Sequence, residues 1–185
     1  VCHGPRCTGS IRQPPTALSG PYPKLGSPQA EPTQANLKRA LTSCRFALAD
    51  GVATIILDHP PVNAQSRRLR EELAWLFDAC SEREDLRAVV LTSGGRSFSA
   101  GADIKERVGL AQGPRDYIRH NRLTREFFCA PMDCLKPVMC AANGPAIGAG
   151  FALKFACDIL LAAEERWVQT PEIDVGLAGG AKFPS

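Results

Sequence analysis

The chain has 185 residues, of which 44% are hydrophobic and 22% charged, which is enough for one domain with a buried core. Its formal net charge of +3, from 22 basic and 19 acidic residues, is too small to indicate a nucleic-acid partner. No apolar run is long enough to cross a membrane, and we predict neither a nucleic-acid partner nor a membrane partner.

The first part of the chain differs in composition from the rest. It contains seven prolines, with Gly and Ser between them and almost no apolar periodicity. Such a segment buries too little apolar surface to offset the entropy lost on ordering, so we predict that residues 1–42 are disordered and that the folded domain covers residues 43–185. Basic residues without acids before Glu31 resemble an organellar transit peptide. We predict a cytoplasmic protein, with the mitochondrial matrix as the alternative.

Cysteine usage argues against a metal centre. The cysteines stand at positions 2, 7, 44, 80, 129, 134, 140 and 157. No CxxC pair occurs and no Cys/His cluster has the spacing of zinc ligands, so we predict no metal site. Several of these thiols lie in or beside apolar segments, where a free cysteine packs as a small hydrophobic group, which favours reduced, structural cysteines.

The first ordered elements are predicted to be a hairpin and a helix. Asp50-Gly51 separates β-type runs at 45–48 and 52–57, and an Asp-Gly pair in that position indicates a β-turn. Ser66 then caps a helix that runs to about residue 81. One face of this helix is apolar and predicted to be buried, while the other is predicted to face solvent with Arg68, Arg70, Glu71 and Asp78.

Strands and helices alternate through the rest of the chain. Short apolar strands at 88–92, 138–142 and 159–163 alternate with helices at 116–128 and 148–156. This order predicts an α/β fold with right-handed crossovers, in which ligands bind at the carboxyl ends of the strands.

Two glycine-rich loops follow central strands, and we call residues 96–105 the first glycine loop and 143–153 the second. Gly101 allows backbone conformations closed to other residues, and Asp103 can cap the helix that follows. Small residues at 148–150 leave the first N–H groups of the next helix unobstructed. Two such turns at neighbouring strand ends can aim two N–H groups at one oxygen, which stabilises an enolate. The alternative is that the glycines only allow tight turns and close packing of helix on strand.

Other site motifs are missing from the sequence. It has neither a G-x-S-x-G nucleophile elbow nor a Walker-type phosphate loop, and Leu153 stands where a dinucleotide fingerprint needs its third glycine. His59 precedes two prolines, and the sequence around His120 has no acidic or Cys residue at a useful spacing. Both are therefore predicted to be turn or surface residues.

Five short motifs, taken together and in this order, resemble the crotonase superfamily of enoyl-CoA hydratases and isomerases. The resemblance runs from about residue 45 to residue 183. The motifs are Pro61-Val62-Asn63-Ala64, Phe98-Ser99-Ala100-Gly101-Ala102-Asp103-Ile104-Lys105, Asn143-Gly144 with Gly148-Ala149-Gly150, Cys157-Asp158-Ile159, and Pro171-Glu172-Ile173-Asp174-Val175-Gly176-Leu177.

The resemblance implies a crotonase-like (ClpP/crotonase) α/β fold of stacked β-β-α units, incomplete here at its C-terminus. It implies an acyl-CoA thioester as substrate, with coenzyme A as part of that substrate and no permanently bound cofactor. The N–H groups of Ala102 and Ala149 would hold the thioester carbonyl, although glycine is usual at the second position. The implied CoA-binding residues are Ala64, Ala100, Gly101, Ala102, Asp103, Ile104, Gly148 and Ala149.

The acidic residues indicate which reaction is favoured. Hydratases of this family carry two glutamates, and this chain has Ala152 at the first position and Glu172 at the second. Adding water is helped by two carboxylates, whereas moving a double bond needs one base, so isomerisation with Glu172 as the base is favoured. Asp174 is a weaker candidate for the second acid.

Ala152 also favours an alternative, a non-catalytic acyl-CoA-binding or assembly subunit that kept the fold and lost the chemistry. Family members continue beyond the equivalent of Ser185, and with that region present a homo-oligomer, a trimer or hexamer, is expected.

Overall fold

The computed structural model of the protein describes residues 41–109, 113–164, 167–172 and 174. The predicted disordered segment therefore lies almost wholly outside the described residues, as does the end of the predicted domain, and the division at residue 42 stays a prediction.

The predicted hairpin and first helix are confirmed. Strands β1 (Cys44–Ala49) and β2 (Val52–Leu57) pair antiparallel across a turn in which Asp50 and Gly51 have φ of 51° and 75°. Positive φ at both central residues is the type I′ geometry that Asp-Gly favours. Helix α1 (Arg67–Glu82) begins where predicted, because the Ser66 hydroxyl accepts a hydrogen bond of 3.2 Å from the Leu69 amide.

The remaining elements confirm the α/β alternation. In chain order they are β3 (Ala88–Ser93), α2 (Ile104–Gly109), α3 (Pro114–Cys129), β4 (Val138–Ala142), β5 (Ala146–Ile147), α4 (Ala149–Phe155), β6 (Ile159–Ala162) and β7 (Val168–Gln169). The main sheet has the order β1-β2-β3-β4-β6, and its last four strands run parallel. Strands β5 and β7, neither of which the sequence predicted, form a second, two-stranded parallel sheet.

The core lies between the main sheet and α1. Strands β2 and β3 alternate buried and half-buried residues, as expected for strands that present one face to the core. The apolar face predicted for α1 is buried over Leu69, Leu73, Leu76, Phe77 and Cys80.

The prediction that Arg70 faces solvent is wrong. Its side chain is 3% exposed, its Nε and Nη2 donate to the Gln65 carbonyl, and its Nη1 donates to the Thr124 hydroxyl of α3. A buried guanidinium is tolerated when its N–H groups have partners, and here those partners come from a turn and from another helix. Helical periodicity carries no information about either.

The described cysteines are all free thiols. Burial, followed by the charge of Glu72, raises the pKa of the Cys44 thiol well above its ordinary value. Burial also raises the pKa of the Cys80 thiol to about 12. Thiols held in the neutral form are poor nucleophiles, which agrees with the structural role predicted for Cys44 and Cys80. Cys2 and Cys7 lie outside the described residues.

Strand β6 forms one edge of the main sheet and exposes apolar side chains. Ile159, Leu160 and Leu161 are 47%, 39% and 54% exposed.

Among the described helices, none has the length and apolar character needed to span a bilayer. The described residues also contain no group of three or more side chains that could hold a metal ion.

Candidate active site

The two glycine loops lie against each other, as their positions at neighbouring strand ends predicted. Ser99 of the first loop forms a parallel bridge with Ala146, and its carbonyl accepts a 3.0 Å hydrogen bond from the Ile147 amide. Gly150 packs so closely on this bridge that a Cβ there would overlap the Ser99 carbonyl oxygen. Here the glycines do allow close packing of a helix on an extended segment, as the simpler of the two sequence interpretations proposed.

The same contact brings Gly101 next to the amide of Ala149. Gly101 has φ of 87°, and a Cβ at this position would lie 2.6 Å from the Ile147 carbonyl oxygen and 3.3 Å from the Ala149 nitrogen. Ala102 is the next residue in the chain, so two of the predicted site residues, Ala102 and Ala149, come from segments that are in direct contact. The positive φ and the small space both require glycine at 101.

The backbone of Ala102 is directed by a bridge to Gln65. The main-chain N–H of Gln65 donates to the Gly101 carbonyl at 2.7 Å, and the main-chain N–H of Asp103 donates to the main-chain carbonyl of Gln65 at 3.4 Å. This pattern turns the amide of Ala102 toward the side of the strand away from Gln65. Among the described residues, neither the Ala102 amide nor the Ala149 amide has a hydrogen-bond acceptor. Both residues are half-buried.

The carboxylate of Glu172 lies beside Gly148, the residue that precedes α4. Strand β7 runs beside β5, the Gly148 amide donates to the Gln169 carbonyl at 2.8 Å, and the chain then turns at Pro171. A Cβ on Gly148 would meet Glu172 Oε1 at 2.5 Å, so the missing side chain of Gly148 makes room for the carboxylate. Glu172 Oε2 is buried and has no donor among the described residues. A buried carboxylate oxygen without a protein partner is uncommon outside functional sites.

The other predicted CoA-binding residues surround these groups. Ala64 and Ala100 are half-buried on the two segments joined by the hydrogen bond from the Ala100 amide to the Val62 carbonyl. Asp103 caps α2 as predicted, because its Oδ1 accepts hydrogen bonds from the Lys105 and Glu106 amides in the first turn of that helix. Ile104, at the start of α2, is 73% exposed.

The two positions considered for a second acid do not supply one beside Glu172. Ala152 lies in the first turn of α4, half-buried, with its amide bonded to the Gly148 carbonyl at 3.2 Å. Asp174 is exposed and belongs to a turn, in which its amide donates to the Pro171 carbonyl at 3.0 Å. The segment is therefore not the regular strand that would place Asp174 on the same face as Glu172.

Two polar residues whose side chains contact both loops, Gln65 and Lys154, were not recognised in the sequence, and neither was the hydrogen bonding of the Ser99 hydroxyl. The Gln65 side chain is 1% exposed and bonds to the Ala149 carbonyl, and the hydroxyl of buried Ser99 accepts from the Gly101 amide. Lys154 is 2% exposed, its Nζ donates to the Gly144 carbonyl at 3.3 Å, and it stands over the Phe98 ring. A single polar side chain carries no periodic signal, so only the three-dimensional contacts identify these residues.

Comparison with known proteins gives a consistent result. The family model described as enoyl-CoA hydratase/isomerase matches residues 48–184. The chain is 34% identical over 143 residues to "Probable enoyl-CoA hydratase" of Bacillus subtilis (strain 168), covering 76% of this chain and 54% of that protein. It is 35% identical over 126 residues to "Delta(3,5)-Delta(2,4)-dienoyl-CoA isomerase, mitochondrial" of Homo sapiens, covering 63% of this chain and 38% of that protein.

A solved structure of an enoyl-CoA hydratase from Bacillus anthracis superposes with a TM-score of 0.68 at 32% identity, covering 76% of this chain and 55% of that one. The chain therefore spans about half the length of the two proteins named as hydratases and 38% of the human isomerase.

Proposed function

Because the chain belongs to the enoyl-CoA hydratase/isomerase family, we propose that the protein processes an acyl-CoA thioester through an enolate intermediate. The single observation that carries this proposal is the contact between Gly101 and the Ala149 amide, which brings the two glycine loops together. The relatives named above carry hydratase and isomerase names at nearly equal identity, so overall similarity does not choose between the two reactions.

The N–H groups of Ala102 and Ala149 form the oxyanion hole in this proposal. When a proton leaves C2, the carbon next to the thioester carbonyl, negative charge accumulates on the carbonyl oxygen. Two preorganised N–H donors stabilise that charge without any reorganisation, and removal of one such donor lowers kcat by roughly 10²–10³ in known enzymes. The absence of a protein acceptor for either amide among the described residues supports this assignment.

Glu172 is the general base. Its carboxylate is placed against Gly148, one residue before the second proposed donor. In an isomerisation it removes a proton from C2 of a 3-enoyl thioester, the electron pair moves toward the carbonyl oxygen, and the same proton returns at C4 as the double bond moves to C2–C3. Every atom is conserved and one base is sufficient. Hydration also needs an oriented water, and neither Ala152 nor exposed Asp174 supplies a second carboxylate beside Glu172.

The two loops carry the proposed CoA contacts. Ala64, Ala100, Asp103 and Gly148 line the segments around the proposed donors, and exposed Ile104 offers an apolar surface to the nucleotide or pantetheine portion of the substrate. Coenzyme A enters and leaves with the substrate, so the proposal needs no permanently bound cofactor.

We also propose that the exposed apolar residues of β6 are covered in a homo-oligomer. The exposure of Ile159 and Leu161 is close to one half each, and contiguous apolar surface of this kind marks interfaces.

The alternative function, a non-catalytic acyl-CoA-binding subunit, shares the binding site and differs only in turnover.

The experiment combines binding and turnover. Purified protein is incubated with 2-enoyl-CoA and 3-enoyl-CoA thioesters, and thioester absorbance is followed for the wild type, Glu172→Gln and the control Glu164→Gln, which removes an exposed carboxylate. We expect double-bond migration in the wild type and the control, and a loss of roughly 10²–10⁴-fold in Glu172→Gln.

Three outcomes would contradict parts of the proposal. Turnover that survives in Glu172→Gln would remove the base, and hydration faster than migration would remove the preference for isomerisation. Thioester binding by the wild type with no turnover of either substrate would establish the non-catalytic alternative.

A further inference from the structure

The side chain of Gln65 connects the two segments that carry the proposed oxyanion donors. It is 1% exposed, and its Nε2 donates to the Ala149 carbonyl at 3.0 Å and to the Ser99 hydroxyl at 3.4 Å. Its main chain pairs with Gly101 and Asp103 on either side of Ala102. One residue therefore holds Ala102 through its backbone and Ala149 through its side chain.

The surroundings of Gln65 hold it rigidly. Its carbonyl accepts from two nitrogens of the buried Arg70 guanidinium, at 3.0 and 2.8 Å. The Ser99 hydroxyl, which accepts from Gln65, itself donates to the Asn63 carbonyl at 2.7 Å. All four residues are at most 3% exposed, and hydrogen bonds between buried groups of this kind restrict the geometry that the segment can adopt.

A purely structural role is a weaker explanation for a glutamine at this site. Burying an amide costs free energy unless its hydrogen bonds are replaced, and an apolar side chain of similar volume would fill the same space without that requirement. The hydrogen bonds of the Gln65 amide go to residues of the two glycine loops, so the energy spent on its burial holds those loops in register.

We propose that Gln65 is a positioning residue that sets the separation between the Ala102 and Ala149 amides, and thereby the strength with which the site polarises the thioester carbonyl. This inference rests on the proposed function. Gln65 touches no reacting atom. Its effect passes through Ala149, whose position would relax away from the first loop when the hydrogen bond is removed.

The test replaces the amide while keeping its volume. Gln65→Met has nearly the same length and no N–H donor, Gln65→Leu is a second variant should methionine disturb folding, and Asn121→Met makes the same type of change at an exposed helical position. The probe is an enoyl-CoA thioester with a ¹³C-labelled carbonyl, whose stretching frequency is measured by difference infrared spectroscopy when it is free and when it is bound.

We expect the carbonyl frequency to fall on binding to the wild type and to Asn121→Met, and to stay closer to the free value in both Gln65 variants. Turnover should fall roughly 10–100-fold through kcat, because an ångström-scale displacement of a donor has effects of that size, while KM stays near that of the wild type. A purely structural defect would lower the folded fraction and leave the frequency of the remaining bound thioester unchanged.

Two results overturn the inference in distinguishable ways. A wild-type frequency shift that both Gln65 variants reproduce would show that Gln65 does not position the donors, and would leave the proposed function standing. Absence of any shift in the folded wild type with bound thioester would overturn the proposed oxyanion hole, and the role of Gln65 with it.

Discussion

Replacing Gly101 with alanine should destabilise the protein by about 2–5 kcal/mol, the sum of a conformational and a steric effect. The backbone at Gly101 has φ of 87°, where an L-residue loses roughly 1–2 kcal/mol relative to glycine. The new Cβ would also lie 2.6 Å from the Ile147 carbonyl oxygen, so the two loops must separate by about half an ångström or more. Overpacking of this kind typically adds about 1–3 kcal/mol.

Gly95→Ala is the matched control for this variant. Gly95 has nearly the same φ, 80°, yet a Cβ there would have no neighbour within 4 Å. It should therefore show the conformational effect of about 1–2 kcal/mol without the steric one. The gain that alanine gives by restricting the unfolded chain is common to both variants and cancels in their difference.

The assay is urea denaturation of the wild type and both variants, with the free energy of unfolding extrapolated to water. We expect Gly101→Ala to be less stable than Gly95→Ala by about 1–3 kcal/mol, and to bind acyl-CoA thioesters more weakly because the second glycine loop has moved. Equal destabilisation by the two variants would refute the close contact between Gly101 and the second loop, on which the candidate site depends.

Two further predictions concern buried charges. Glu72 is fully buried and accepts hydrogen bonds from the main chain that leads into β1. Glu72→Gln should therefore lower the free energy of unfolding, measured by urea denaturation, by about 2–3 kcal/mol. The control Glu71→Gln removes one partner of a half-exposed ion pair and should change it by less than about 0.5 kcal/mol. Similar values for the two variants would contradict the network. Burial lowers the pKa of Lys154, so as pH rises toward 10.5 the folded protein loses the Lys154 proton before the unfolded chain does. The free energy of unfolding of the wild type should therefore rise relative to that of Lys154→Met as pH increases from 7 toward 10. A difference that is independent of pH in denaturation curves would contradict the burial of its ammonium group.

Local signals were sufficient to predict most of the fold. Asp50-Gly51 predicts the hairpin because its turn needs two positive φ values, and Ser66 predicts the start of α1 because its hydroxyl satisfies a free amide. The two-stranded sheet of β5 and β7 was not predicted, since two residues are too few to show a period. The burial of Arg70 was missed because its partners lie in other elements.

The candidate site divides in the same way. The sequence alone determined that two glycine loops follow neighbouring strands, that Glu172 is present, and that alanine stands at position 152, because these are matters of residue type and order along the chain. Only the tertiary structure decided that Gly101 lies next to the Ala149 amide, that Gly148 leaves room for the Glu172 carboxylate, and that Gln65 joins the loops. Those contacts connect residues up to 84 positions apart. They exist because the parallel strands bring their carboxyl ends to one edge of the sheet, and no local pattern in the sequence records the distance between groups on two different loops.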